Sequence, residues 1–242
     1  MVNDWMIWKG VDCREMGCVC VEQPPVTSAK EKLTFEKVAG RSGTVILKEG
    51  DNVREDMTMN CTLALMEPSA ISDVIKWLHG SGRARFASRP DREYDAVVSN
   101  QIEMTKVIAA RDVRTFPVSF RAQPWAYHLN VQDIEITESG TIVNNPGTAA
   151  SAPRITVYGS GSVALRVGGQ LMTLRGIEDG IILDSQLCDA LTLDGAGLLN
   201  GHVTGEFFEI QPGASAVSWG AVEDEPGGTV TRIVIAPRWR DW

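Results

Sequence analysis

The chain has 242 residues and 26.4 kDa, with 43% hydrophobic residues, 23 Gly and 11 Pro, a turn-rich globular composition that excludes disorder and low complexity. A net charge of −8 and a pI near 5.0 argue against a phosphate-binding surface, because nucleic-acid affinity comes mostly from Lys and Arg displacing counterions. No apolar run approaches the roughly 20 residues that span a bilayer, and Met1-Val2-Asn3-Asp4-Trp5 lacks the basic-then-apolar form of a leader, so the sequence reads as a soluble chain made in the cytosol.

Three of the five cysteines, Cys13, Cys18 and Cys20, come first. A zinc site needs four converging soft ligands and no fourth lies nearby, whereas Cys18-Val19-Cys20-Val21 fits a strand with both thiols on one face. An odd cysteine count in so long a chain reads as reduced thiols rather than a disulfide framework.

Strands are expected over 33–38 and 44–48, separated by Gly40-Arg41-Ser42-Gly43, as members of a first sheet system. Met57, Met59, Cys61, Leu63 and Leu65 alternate with Thr58, Asn60, Thr62 and Ala64, the period of a half-buried antiparallel strand. Ile71, Val74, Ile75 and Leu78 then switch to the i, i+3, i+4, i+7 spacing of one buried helical face, after Pro68 and before Gly80-Ser81-Gly82. This predicts one helix, 69–79, packed on the sheet.

Further strands follow over 83–86 and 96–108, with Arg83, Arg85, Arg89 and Arg92 interleaved with Asp91, Glu93 and Asp95. These arginines are candidate subunit contacts as well as a solvated rim, since the guanidinium fork binds carboxylates bidentately. Phe116, Val118 and Phe120 alternate with Pro117, Ser119 and Arg121, and Pro117 suggests an edge or a bulge. After Gln123-Pro124-Trp125 short strands recur over 154–158, 164–167, 171–174, 180–183, 191–193, 207–210, 216–219 and 230–235, the texture of a β-sandwich or jelly roll. Gly159-Ser160-Gly161-Ser162 reads as a flexible hairpin. Two domains are expected, 1–128 and 131–242.

Catalytic signals are weak. His79, His128 and His202 stand alone, Gly40-Arg41-Ser42-Gly43-Thr44 lacks the last glycine of a nucleophile elbow, and Asp184, Asp189 and Asp194 have a spacing common by chance. No phosphate loop, dinucleotide fingerprint or His-Glu-x-x-His motif is present, so no catalytic residue, metal or cofactor is expected. Tryptophan anchors interfaces, and among seven, Trp239 and Trp242 near the end are the better interface candidates.

Read in order, these segments resemble the distal tail protein family of bacteriophages with long non-contractile tails and related prophages. The resemblance runs through Ala39-Gly40-Arg41-Ser42-Gly43-Thr44, Ile75-Lys76-Trp77-Leu78-His79-Gly80-Ser81-Gly82, Phe86 and Pro90-Asp91-Arg92-Glu93-Tyr94-Asp95-Ala96. It continues in Phe116-Pro117-Val118-Ser119-Phe120, Gln123-Pro124-Trp125, Asn145-Pro146-Gly147, Pro153-Arg154-Ile155-Thr156-Val157, Pro212-Gly213 and Ile233-Val234-Ile235-Ala236-Pro237-Arg238-Trp239-Arg240.

The resemblance implies a mainly β fold: an N-terminal split β-barrel or sandwich with one packed helix, and a C-terminal galectin-like β-sandwich. It implies a structural virion protein without an active site, assembled in the host cytoplasm. Its partners would be five further copies in a hexameric ring, the tail tube protein, and the tail-tip protein or receptor-binding fibre, with DNA passing through the bore and no membrane insertion. The alternative is a carbohydrate-binding adhesin acting through the C-terminal sandwich, for which Trp219 is the aromatic candidate. A cell-wall hydrolase is the least supported reading.

Overall fold

Strand alternation in the sequence becomes two antiparallel sheet systems, each with its own core, in a computed structural model that describes residues 4–48, 50, 53–108, 111–223 and 225–242. Met1, Val2 and Asn3, part of the leader reading, lie outside the described residues. The chain divides into one unit of residues 4–127 with Trp242 and a second of residues 128–241. No helix among the described residues is long and apolar enough to cross a membrane.

The first unit contains β1 (Met6–Trp8), β2 (Val11–Asp12), β3 (Cys18–Glu22), β4 (Leu33–Lys37), β5 (Thr44–Lys48) and β6 (Met57–Leu65). Helix α1 (Ile71–Leu78) follows, then β7 (Ser81–Phe86), β8 (Arg92–Val98), β9 (Thr105–Ile108), β10 (Arg111–Ala122) and β11 (Ala126–His128). The sheet runs β2-β1-β7-β8-β10-β6-β3, with β9 also on β10 and β11 on β8. Every inward residue of the alternating segment, Met57, Met59, Cys61, Leu63 and Leu65, is buried, and Phe116, Val118 and Phe120 face them from β10. The expected 96–108 strand is two strands, because the chain leaves the ladder between β8 and β9.

Pro117 lies inside β10, paired to Thr62 of β6 on one side. On its other side β9 pairs only up to Thr115 and β8 only from Phe120, leaving a gap. The Asn100 side chain enters that gap, donating to the Pro117 carbonyl at 3.0 Å and accepting from the Ser119 amide at 2.8 Å. The proline thus occupies a local edge, where its missing N–H breaks no ladder bond.

Helix α1 has the expected extent but a rotated inner face. Val74, Trp77 and Leu78 are buried, whereas Ile75 is 46% exposed. The stripe 74, 77, 78 obeys the same spacing as the stripe 71, 74, 75, 78. The choice between them falls to Trp77, whose large ring packs into the first core beside Trp8.

A larger departure concerns β4 and β5. Among the described residues they pair only with each other, Phe35 opposite Ile46, and form a two-stranded sheet outside the main one. Their apolar residues have no core to enter: Phe35 is 60% and Ile46 56% exposed.

The second unit holds β12 (Ile134–Ile136), β13 (Thr141–Asn145), β14 (Arg154–Val167), β15 (Gln170–Ile177), β16 (Gly180–Asp184), β17 (Asp189–Leu191), β18 (Val203–Gly205), β19 (Gly213–Gly220), β20 (Thr229–Ala236) and β21 (Arg240–Asp241). Strand β14 is continuous where a hairpin at Gly159-Ser160-Gly161-Ser162 was the expectation. Its first half pairs with β16 and β20, its second half with β15 and β19, so one strand serves both layers. Ile155 and Val157 from one half, and Val163, Leu165 and Val167 from the other, enter the same core. The register slips at Tyr158/Gly159 and again between Gly161 and Val163, as at corners where strands change sheets. A Cβ on Gly159 would lie 2.0 Å from the Thr229 carbonyl oxygen, so only glycine fits. The expected strand over 207–210 is not one: Phe208 and Ile210 are buried, but only Ile210 pairs, in an isolated bridge to Ser151.

Candidate assembly surfaces

The β7–β8 hairpin and its turn bring Arg83 and Arg92 together with carboxylates of their own unit, and Arg85 and Arg89 with its aromatic residues. Arg83 donates to Asp95 at 3.1 Å and to Glu93 at 3.3 Å, and its guanidinium lies 5.0 Å from the Tyr127 ring. Arg92 donates to Asp91 at 2.5 Å, Arg89 to the Tyr94 hydroxyl at 3.4 Å, and Arg85 lies over the Trp5 ring at 5.5 Å. The fit of Arg83 follows from the register, which sets it opposite Asp95, whereas Arg92 bonds its neighbour in sequence. Trp239 is buried in the second core, where little of it can meet another molecule. Trp242, half-buried, stacks on Trp125 at 4.5 Å with the Arg54 guanidinium 4.0 Å above it.

The Asp and His residues weighed as catalytic candidates are engaged in local contacts. Asp184 is held by Arg238 through two 2.7 Å hydrogen bonds, which lower its carboxyl below the ordinary Asp value. Asp189 accepts from Asn200, and Asp194 from the Thr192 hydroxyl and the Ala196 amide, which lower its carboxyl too. His128 lies 3.1 Å from Asp241, His202 bonds the Arg175 carbonyl at 2.8 Å, and His79 ends α1. None of these forms a nucleophile–base pair.

Cys13, Cys18, Cys20 and Cys61 are buried in the first core and Cys188 is exposed. Burial pushes the Cys13 thiol up to about 11 and Cys18 up to about 12. The Cys61 thiol donates to the Met6 sulfur at 3.7 Å, and its hydrogen-bonding interaction with Cys20 lowers the Cys20 thiol and raises that of Cys61. Among the described residues no three His, Cys, Asp or Glu side chains converge as metal ligands.

In the second unit a groove of about 450 Å³ is lined by Glu178, Asp179, Leu193, Asp194 and His202, and no Trp, Tyr or Phe is among its lining residues for a sugar ring to stack on. Trp219 is half-buried against the core, and its backbone is tied by the Ser139 hydroxyl.

The feature that sequence reasoning missed is the free-standing β4–β5 arm. Its turn contains the Gly40-Arg41-Ser42-Gly43 signature, and both glycines take left-handed backbone angles, φ +79° and +81°, which non-glycine residues rarely adopt. Residues 30–48 carry five basic and two acidic side chains in a chain of net charge −8. That local charge reversal was the available signal. A two-stranded hairpin with large apolar residues in water is marginal by itself and a pairing hazard unless something covers it.

By sequence, the chain matches no protein-family model and none of the curated proteins. By structure it is similar to the Dit (gp 19.1) protein of SPP1, described as a paradigm of the hub adsorption apparatus in phages that infect Gram-positive bacteria. The two superpose with a TM-score of 0.72 at 15% identity, over 96% of this chain and 97% of that one. The fold is thus that of a Dit-like tail protein, mainly β and with the helix in place.

Proposed function

We propose that this chain is a structural hub protein of a phage tail tip. Copies join head to tail in a hexameric ring, which couples the tail tube to the tail-tip protein or receptor-binding fibre at the distal end of the virion. The genome passes through the bore without specific binding. The observation that carries this reading is the fold likeness to a hub protein over nearly the whole of both chains.

Two physical features support it. A head-to-tail contact joins two different patches of one subunit, and ring closure leaves neither unpaired. The free-standing arm is a patch in search of such a partner, since Phe35 and Ile46 lie exposed on a hairpin that no other strand supports among the described residues. The acidic balance also suits a conduit for DNA, because like charge keeps a polyanion from adhering. An enzymatic role has no support from Asp184, Asp189 or Asp194, all held in local contacts.

Native mass spectrometry of the purified full chain tests the assembly. The expected species has six times the 26.4 kDa chain mass. A monomer at every concentration tried contradicts the ring.

A further inference from the structure

We infer that Trp242 is a strap that grips the neck of the β4–β5 arm and fixes the pose of the arm on the first unit. The arm leaves that unit through a narrow neck. Glu31 and Arg54 form an isolated antiparallel bridge, the Lys32 amide donates to the Val53 carbonyl at 3.0 Å, and the Glu55 amide donates to the Lys30 carbonyl at 2.9 Å. Among the described residues no third strand flanks this neck, and a two-stranded ribbon is marginal by itself. A further anchor is needed to keep the arm from swinging.

Arg54 supplies the point of attachment. Its Nη1 donates to the Ala29 carbonyl at 2.9 Å, and Ala29 is buried in the first core, so one side of the neck is pinned. Its Nε is buried and has no hydrogen-bond partner among the described residues. The guanidinium instead lies 4.0 Å from the centre of the Trp242 ring, and that ring stacks on Trp125 at 4.5 Å. Trp242 thereby links the neck to the segment before β11 through side chains alone. Indole is the best aromatic face for a cation, and the tryptophan pair adds to the hold.

Chain order gives the strap a second property. Trp242 packs with the first unit, although residues 128–241 before it make the second. A chain still in synthesis lacks the strap until the second unit has been made, and until then its arm swings. Once set, the arm has already lost the freedom that any contact it makes would otherwise have to freeze.

Hydrogen exchange of the full-length chain, read by mass spectrometry in peptides spanning 29–32 and 53–56, tests this. Trp242 is half-buried and outside the first core, so Trp242→Ala should fold, which circular dichroism checks. It should raise exchange in the neck about tenfold and leave β6 and β10 as in wild type, whereas Trp242→Phe, which keeps a ring face, should stay within about threefold. Arg54→Ala should do at least as much as Trp242→Ala, and the double variant no more than Arg54→Ala alone. Phe35→Asp with Ile46→Asp, which alters the arm beyond the neck, should leave the neck slow. The strap is overturned if Trp242→Ala leaves the neck unchanged or speeds the neck and β6 together. It is overturned equally if the double variant adds the two effects, or if the Phe35 and Ile46 variant speeds the neck as much as Trp242→Ala does.

Discussion

Trp8 and Trp77, 69 residues apart, each donate the indole N–H to the other's backbone carbonyl, both at 3.1 Å. The arrangement ties β1 to the C-terminal turn of α1. The Trp77 carbonyl is among the last four of the helix, which lack helical partners, so the Trp8 indole serves as a cap from another strand.

Trp77→Phe should keep most of the ring volume but leave the buried Trp8 carbonyl without its donor. The expected cost is about 1–3 kcal/mol, read from urea unfolding of the first unit. Ile75→Ala, two residues away but exposed, should stay within about 0.5 kcal/mol of wild type. Equal costs at the two positions would contradict the rotated helical face.

The ion pair of Asp184 and Arg238 makes a pH-dependent prediction. Arg238 lowers the folded-state carboxyl below its ordinary value, so the contribution is fully present above about pH 4 and is lost as pH falls through the folded value. Asp184→Asn should cost about 3 kcal/mol at pH 7, at the lower end for a buried pair because Arg238 is one-quarter exposed. The gap to wild type should narrow below about pH 4. A constant gap from pH 7 to 3 would show that the charge of Asp184 is not what matters.

Thiol reactivity should follow burial. One cysteine per chain, Cys188, is expected to react quickly with a disulfide reagent near pH 8, and all five after denaturation. Cys20, although lowered by Cys61, is shielded in the core. Fast modification of three or more in the native protein contradicts the packing of β3 on β6.

Gly159→Ala should destabilise the second unit by about 1–3 kcal/mol, since the added carbon meets the Thr229 carbonyl and β20 must move away. Gly169→Ala, with open space around its Cβ, is the control for thermal unfolding. No difference between the two would mean that β14 does not cross between layers there.

Much of the fold was legible because local period and burial agree. Met57 to Leu65 alternates in the sequence and alternates in the structure, and α1 ends where its apolar period ends. Legibility failed where neighbours distant in sequence decide. Ile75 and Trp77 fit equivalent helical stripes, and only Trp8 selects between them. Gly159 and Gly161 look like a turn because a strand passing between two sheets needs the same lack of side chain as a reversal does. The arm shows the limit most clearly: Phe35 and Ile46 read as sheet residues, and nothing local says that their sheet has two strands. The surroundings of Arg83 were equally hidden, since it meets Asp95 through a strand register that the sequence does not print.

Class averages from negative-stain electron microscopy of the purified full-length chain test the central claim most directly. The account predicts a sixfold annulus with an open bore, lost when Phe35 and Ile46 become Asp. Isolated particles of single-chain size, or an open filament in place of a closed ring, would contradict it.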